Sequence, residues 1–157
     1  MSRRMDRTVV LGAGLMGRLL ACELARAGHA VDLYDASAQH VPASAAHVAA
    51  AMLAPLVESA VTELGVVRMG CHSLVRWPDL IATLGAPVYF QQQGTLVLWH
   101  RQDAAEATRF QQQLALTARS MPQLPAVESL DARAVAGLEP AIGERFAQGL
   151  YLPGEGQ

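Results

Sequence analysis

Apolar and polar positions follow two different periods along this chain, and the changes of period mark its parts. Thr8-Val9-Val10-Leu11 is a short apolar run that breaks off at glycines, which predicts a buried strand. In the next segment Leu20, Leu24 and Ala27 recur at spacings of four and three, so Leu15 to Ala27 is expected to be a helix with one apolar stripe. Gly28 is placed to stop that helix. Ala30 to Asp35 then reads as a second strand, parallel to the first through a right-handed crossover.

Further along, residues 36–50 are rich in Ala and Ser around Pro42, the composition of a loop passing into a short element. From about Ser59 to Leu84 the pattern is mostly helical, and Pro78 is expected to open a new helix because proline breaks a helix interior. The period shortens after Pro87. Val88 to Gln91 and Thr95 to Trp99 are strand-like on either side of Gly94, the pattern of a hairpin. Asp103 followed by Glu106 has capping-box spacing and predicts a helix to about Arg119, with Phe110 and Leu114 on its buried face. Val127 to Leu130 predicts a strand, Asp131 to Ala136 a short helix, and Phe146 to Leu152 another strand.

The chemistry is concentrated in the first of these segments. Between the first strand and the first helix stands Gly12-Ala13-Gly14-Leu15-Met16-Gly17, a Gly-x-Gly-x-x-Gly turn, and the second strand ends on Asp35. This is the order of a dinucleotide-binding βαβ unit. Gly12 allows the sharp turn, Gly14 lets a pyrophosphate approach the backbone, and Gly17 lets the helix lie close to the strands. The N–H groups and positive dipole end of the helix suit the anion. Asp35 is placed to accept hydrogen bonds from the adenosine ribose, and its charge disfavours the 2′-phosphate of NADP.

Composition narrows the field further. At 52% hydrophobic and 17% charged residues the chain is expected to fold. Its net charge of −2 argues against a nucleic-acid partner, although Arg3, Arg4 and Arg7 cluster near the start. All 12 basic side chains are arginine, so neither a lysine Schiff base nor a P-loop lysine is available. Cys22 and Cys71 stand apart and are expected to be small buried residues in a reducing, cytoplasmic setting. Arg18, Glu23 and Arg26 interrupt the apolar stretch from Thr8 to Val31, which excludes a membrane span there. The five histidines form no metal-binding pattern, and no Gly-x-Ser-x-Gly elbow is present. Trp77, Tyr89, Phe90 and Trp99 are expected to fill cores.

The glycine turn with Asp35, the run Ala49-Ala50-Ala51-Met52-Leu53-Ala54-Pro55 with Glu58, Gln93-Gly94-Thr95-Leu96, Leu138-Glu139-Pro140 and the closing Pro153-Gly154-Glu155-Gly156-Gln157 occur in the order of a known family. Together they resemble the D-amino acid oxidase superfamily of FAD-dependent oxidoreductases, most closely its glycine oxidase branch of thiamine biosynthesis. The resemblance covers nearly the whole chain but only the N-terminal portion of the family's length. It implies an α/β fold: a Rossmann-like FAD-binding βαβ unit, then the start of an α+β substrate domain with antiparallel strands. Residues 1–86 would form the FAD-binding part, 87–152 the start of the substrate domain, and 153–157 a return toward the FAD domain.

The same resemblance implies oxidation of a small amine or amino acid to an imine, with hydride transfer to flavin N5. Carried over residue by residue, Gly12, Ala13, Gly14, Leu15, Met16, Gly17 and Asp35 hold the dinucleotide, and Ala50, Ala51, Met52 and Leu53 pass close to the flavin. Ala51 stands where the family usually has glycine, and His47 where serine is common. The family's carboxylate-clamping arginine has no counterpart here, so no catalytic residue is named. Two other readings stand beside this one. The glycine turn with Asp35 also suits an NAD-dependent dehydrogenase, and a third reading takes the chain as a truncated fragment without activity or as a subunit completed by a partner, either the missing C-terminal part or a homo-oligomer.

Overall fold

The computed structural model describes residues 7–37, 44–142 and 145–157; the expectations for Arg3, Arg4 and Pro42 lie outside them. The chain folds as two compact units, Met1–Ala51 and Met52–Gln157.

In the first unit, strand β1 (Arg7–Leu11), helix α1 (Leu15–Arg26) and strand β2 (Ala30–Tyr34) follow one another as the apolar pattern predicts. The two strands pair in parallel, with Val9 opposite Asp32 and Leu11 opposite Tyr34. At the end of α1 the Gly28 N–H donates to the Ala25 carbonyl and the His29 N–H to the Leu24 carbonyl. That is the double closure of a Schellman end, and it turns the chain into β2. An exposed ion pair between Arg7 and Asp32 spans the two strands. Val10 is the buried residue of β1, whereas Leu11, Met16 and Leu20 are 82%, 77% and 53% exposed. Cys22 is exposed as well, contrary to the expectation of a buried cysteine. One helix against two strands offers too few neighbours to enclose a small side chain on the outer face of α1.

In the second unit, helix α2 (Pro55–Glu58), helix α3 (Leu64–Ala82) and helix α4 (Ala104–Ser120) accompany a three-stranded antiparallel sheet. The sheet is built from β3 (Thr95–Leu98), β4 (Glu128–Asp131) and β5 (Gln148–Leu152), with the short helix α5 (Ala132–Leu138) after β4. The spatial order is β3-β5-β4, so β5 is central. Leu96 faces Tyr151 across one pair and Leu130 faces Gly149 across the other. Central position and alternation together bury Leu150 and Leu152, which form the core with Leu56 and Leu114. Phe110, Trp99, Val97 and Val127 pack around them. Asp131 caps α5 by accepting from the Ala134 N–H at 2.8 Å.

Four expectations need correction. Pro78 does not open a helix but lies inside α3, which runs continuously from Leu64 to Ala82. Val67 and Leu74 are buried at heptad spacing, and Ile81 continues the stripe beyond the proline. Packing of that stripe outweighs the hydrogen bond that Pro78 cannot donate. The hairpin between Val88 and Trp99 does not form either: β3 pairs with β5, and Gln91 exchanges both backbone hydrogen bonds with Gln157 at 2.9 Å. Asp103 precedes α4 without capping it by its side chain. A 3-10 turn at Arg101–Asp103 gives it φ −94° and ψ 11°, not the extended geometry that a cap requires. Finally, Tyr89 is 70% exposed rather than part of a core.

Candidate functional site

The glycine turn is built as its residue types require. Gly12 has φ +102°, a left-handed conformation that costs most side chains about 1–2 kcal/mol. Its N–H donates to the Tyr34 carbonyl at 2.7 Å, which stitches the end of β1 to the end of β2. A Cβ on Gly17 would lie 1.7 Å from the Gly12 carbonyl oxygen, so no side chain fits where α1 passes the turn. Gly14 is the N-cap of α1 and carries no side-chain cap, and the first turn of the helix has no acid. The N–H groups at the start of α1 therefore have neither a helical partner nor a competing carboxylate. This is the electrostatic setting in which an anion binds.

Asp35 is held against the same turn. Its Oδ2 accepts the Ala13 N–H at 2.6 Å and its Oδ1 accepts the Ser37 N–H at 2.8 Å. The Ser37 N–H first, then the Ala13 N–H, hold this carboxyl below the usual carboxylate range, and the charge of Arg18 adds to them. The Ser37 side chain bonds to the same carboxylate, and a carboxylate offers about four lone-pair positions, so it keeps spare accepting capacity beyond these contacts. Gly12, Ala13, Gly14, Gly17 and Asp35 are thus brought together, and Leu15 and Met16 supply the first turn of α1. Arg18 belongs with them, and sequence reading missed it. Its Nε donates to the Ala13 carbonyl at 2.6 Å. Its position directly after the last motif glycine was the available signal.

Ala50 and Ala51 end the first unit, and both are exposed. Ala51 has φ +57°, and it is the one non-glycine residue with positive φ among those described. Met52 and Leu53 open the second unit. Leu53 and Gly156 pair as an antiparallel bridge, with N···O distances of 2.7 and 3.0 Å. Met52 lines a cavity of about 200 Å³ with Gln91, Gln93, Gly94, Thr95, Gly156 and Gln157. Of the weaker candidates, Glu58 and His47 are exposed. Burial pushes the Cys71 thiol up, and the charge of Glu155 pushes it further, which is the wrong direction for a nucleophilic thiolate.

Comparison with known proteins places this geometry. Over 35 residues the chain is 57% identical to kynurenine 3-monooxygenase of Salinispora tropica, a match that takes in 22% of this chain and 8% of that protein. The glycine oxidase structure from Geobacillus kaustophilus superposes with a TM-score of 0.78 at 23% identity, over 97% of this chain and 40% of that one. Iminodiacetate oxidase from Chelativorans sp. BNC1 gives a TM-score of 0.75 at 22% identity, over 95% of this chain and 40% of that one. At these identities the likeness is one of fold, and the chain spans less than half the length of either oxidase. The FAD-dependent oxidoreductase (DAO) family model matches residues 7–157, across the glycine turn, the Asp35 anchor and both units. The NAD-dehydrogenase reading falls away with that match, and the chain belongs to the DAO family of FAD-dependent oxidoreductases, with FAD as its cofactor.

Proposed function

We propose that the protein formed by this chain oxidises the amine-bearing carbon of a small amino acid, in the manner of a glycine oxidase. The observation that carries the cofactor half of this reading is the turn itself: uncapped N–H groups at the start of α1, with Asp35 tied to Ala13 beside them. The substrate half is supported by the neighbours in fold, which are named as oxidases of glycine and of iminodiacetate. In this reading Gly12 to Gly17 receive the pyrophosphate, Asp35 receives the adenosine ribose, and Ala50, Ala51, Met52 and Leu53 run along the flavin. FAD, when bound, supplies the acceptor for the hydride. The chain's own contribution is to bind and to orient.

The division into an FAD-binding part up to residue 86 and a substrate part from residue 87 belongs to the same proposal. So do a role in thiamine biosynthesis and a cytoplasmic location. Among the described residues no helix is long and apolar enough to cross a membrane.

The test is direct. The purified full-length protein that carries this chain, incubated with FAD and freed of excess, is expected to show flavin absorbance bands, and Gly17→Ala is expected to abolish them. Anaerobic addition of glycine should bleach the bands, with sarcosine, iminodiacetate and D-alanine compared alongside. Retained flavin that none of these amines bleaches would refute the substrate half and leave the cofactor half standing.

A further inference from the structure

Glu155 is 3% exposed, and its carboxylate lies at the start of a helix too short to hold itself in place. Pro55 occupies the first position of α2 and has no N–H to give. The next two donors, the N–H groups of Leu56 and Val57, both reach Glu155 Oε1, at 2.8 and 3.0 Å. Oε2 is buried and has no partner among the described residues. Leaving a buried acceptor unmet is unfavourable. The carboxylate is thus committed entirely through one oxygen, to the backbone that follows Met52 and Leu53.

The neighbouring residues repeat this pattern with main-chain atoms. Gly156 pairs with Leu53 on one side, and Gln157 pairs with Gln91 on the other. The Gly94 N–H donates to the Glu155 carbonyl at 2.8 Å, and Gln92 Nε2 to the Gly154 carbonyl at 2.6 Å. A Cβ on Gly156 would stand 2.7 Å from the Gln91 carbonyl oxygen, so the strip is wedged too closely between its neighbours for any side chain there. Residues 154–157 therefore clip the Met52–Val57 segment to the Gln91–Gly94 loop, and the cavity beside Met52 lies along that clip.

We propose that Glu155 is a positioning residue for the flavin-binding segment: through the N–H groups of Leu56 and Val57 it sets where Met52 and Leu53 stand against the Gln91–Thr95 wall. The proposal rests on the reading that Met52 and Leu53 run along the flavin.

The test is FAD affinity of the purified full-length protein, read by quenching of flavin fluorescence, with thermal melting of each variant without FAD as the measure of folding. Glu155→Gln keeps an acceptor oxygen for both N–H groups and is expected to bind FAD within about threefold of the wild type. Glu155→Ala removes the acceptor and is expected to weaken binding by about tenfold or more and to shift the visible flavin bands. Were Glu155 merely structural, the alanine variant would melt earlier while its folded form bound FAD with unchanged affinity and spectrum. That outcome overturns the proposal. Should the alanine chain fail to fold, Glu155→Asp decides: its carboxylate is drawn back by one methylene, and wild-type affinity in a folded aspartate variant overturns the proposal equally. A full-length wild-type protein that takes up no FAD would instead sink the reading that Met52 and Leu53 run along the flavin, a failure visible before any variant is made.

Discussion

Two residues in the first unit hold conformations or charges that their own chemistry makes testable. Ala51 sits at φ +57°, where an L side chain costs about 1–2 kcal/mol and glycine costs almost nothing. Ala51→Gly is therefore expected to stabilise the chain by about 1 kcal/mol, after allowing for the greater freedom of glycine in the unfolded chain. Urea unfolding of both proteins measures it, and an unchanged or lower midpoint would count against the strain. Asp35 makes a pH-dependent contribution of definite sign. Its folded-state pKa is depressed, so the stability it confers is fully present above the unfolded carboxyl value of about 3.9. That stability is lost as the pH falls through the lower, folded value. Asp35→Asn is expected to flatten the fall in stability below about pH 4, as measured by denaturant midpoints across an acid series. A fall as steep as that of the wild type would contradict the assignment.

At the scale of elements, the parts held together by local rules were readable in the sequence, and the parts decided by distant partners were not. The unit β1-α1-β2 was legible because turn, helix stop and strand each carry their own residue signature. The helix α4 was legible from its apolar spacing, but not its start. The 3-10 turn at Arg101–Asp103 removes the side-chain cap that Asp103 and Glu106 suggested. The supposed hairpin failed for a non-local reason: the partner of Gln91 is Gln157, and the partner of β3 is β5. No pattern within residues 87–99 could announce either. Pro78 failed because a local rule met an apolar stripe, Val67 and Leu74 buried and Ile81 half-buried, that continues past it. Since Pro78 is exposed, Pro78→Ala leaves no cavity and returns an N–H within reach of the Leu74 carbonyl. It is expected to stabilise α3 by about 1–3 kcal/mol, measurable by thermal melting. In the site, the glycines and Asp35 were legible for the same local reason. Arg18 and Glu155 were not, since each acts through a backbone atom that only the folded chain brings to it.

For the whole molecule, the two units differ in how much of each is shielded from water. Among the described residues the first unit buries one hydrophobic side chain, Val10, whereas in the second Val67, Met121, Val135 and Leu152 are almost fully enclosed. Amide hydrogen exchange is therefore expected to be faster in β1 and β2 than in β5, whose Leu150 and Leu152 lie in the core. Equal protection in the two units would show that burial does not set the order of opening.

The strand order β3-β5-β4 has a consequence for biosynthesis. The middle strand is the one translated after both of its flanking partners, so this sheet cannot zip up while the ribosome is still making residues 148–152. Until then β3 and β4 leave the exit tunnel with bare edges, exposed to any other strand they meet. The βαβ unit ahead of them needs no such wait.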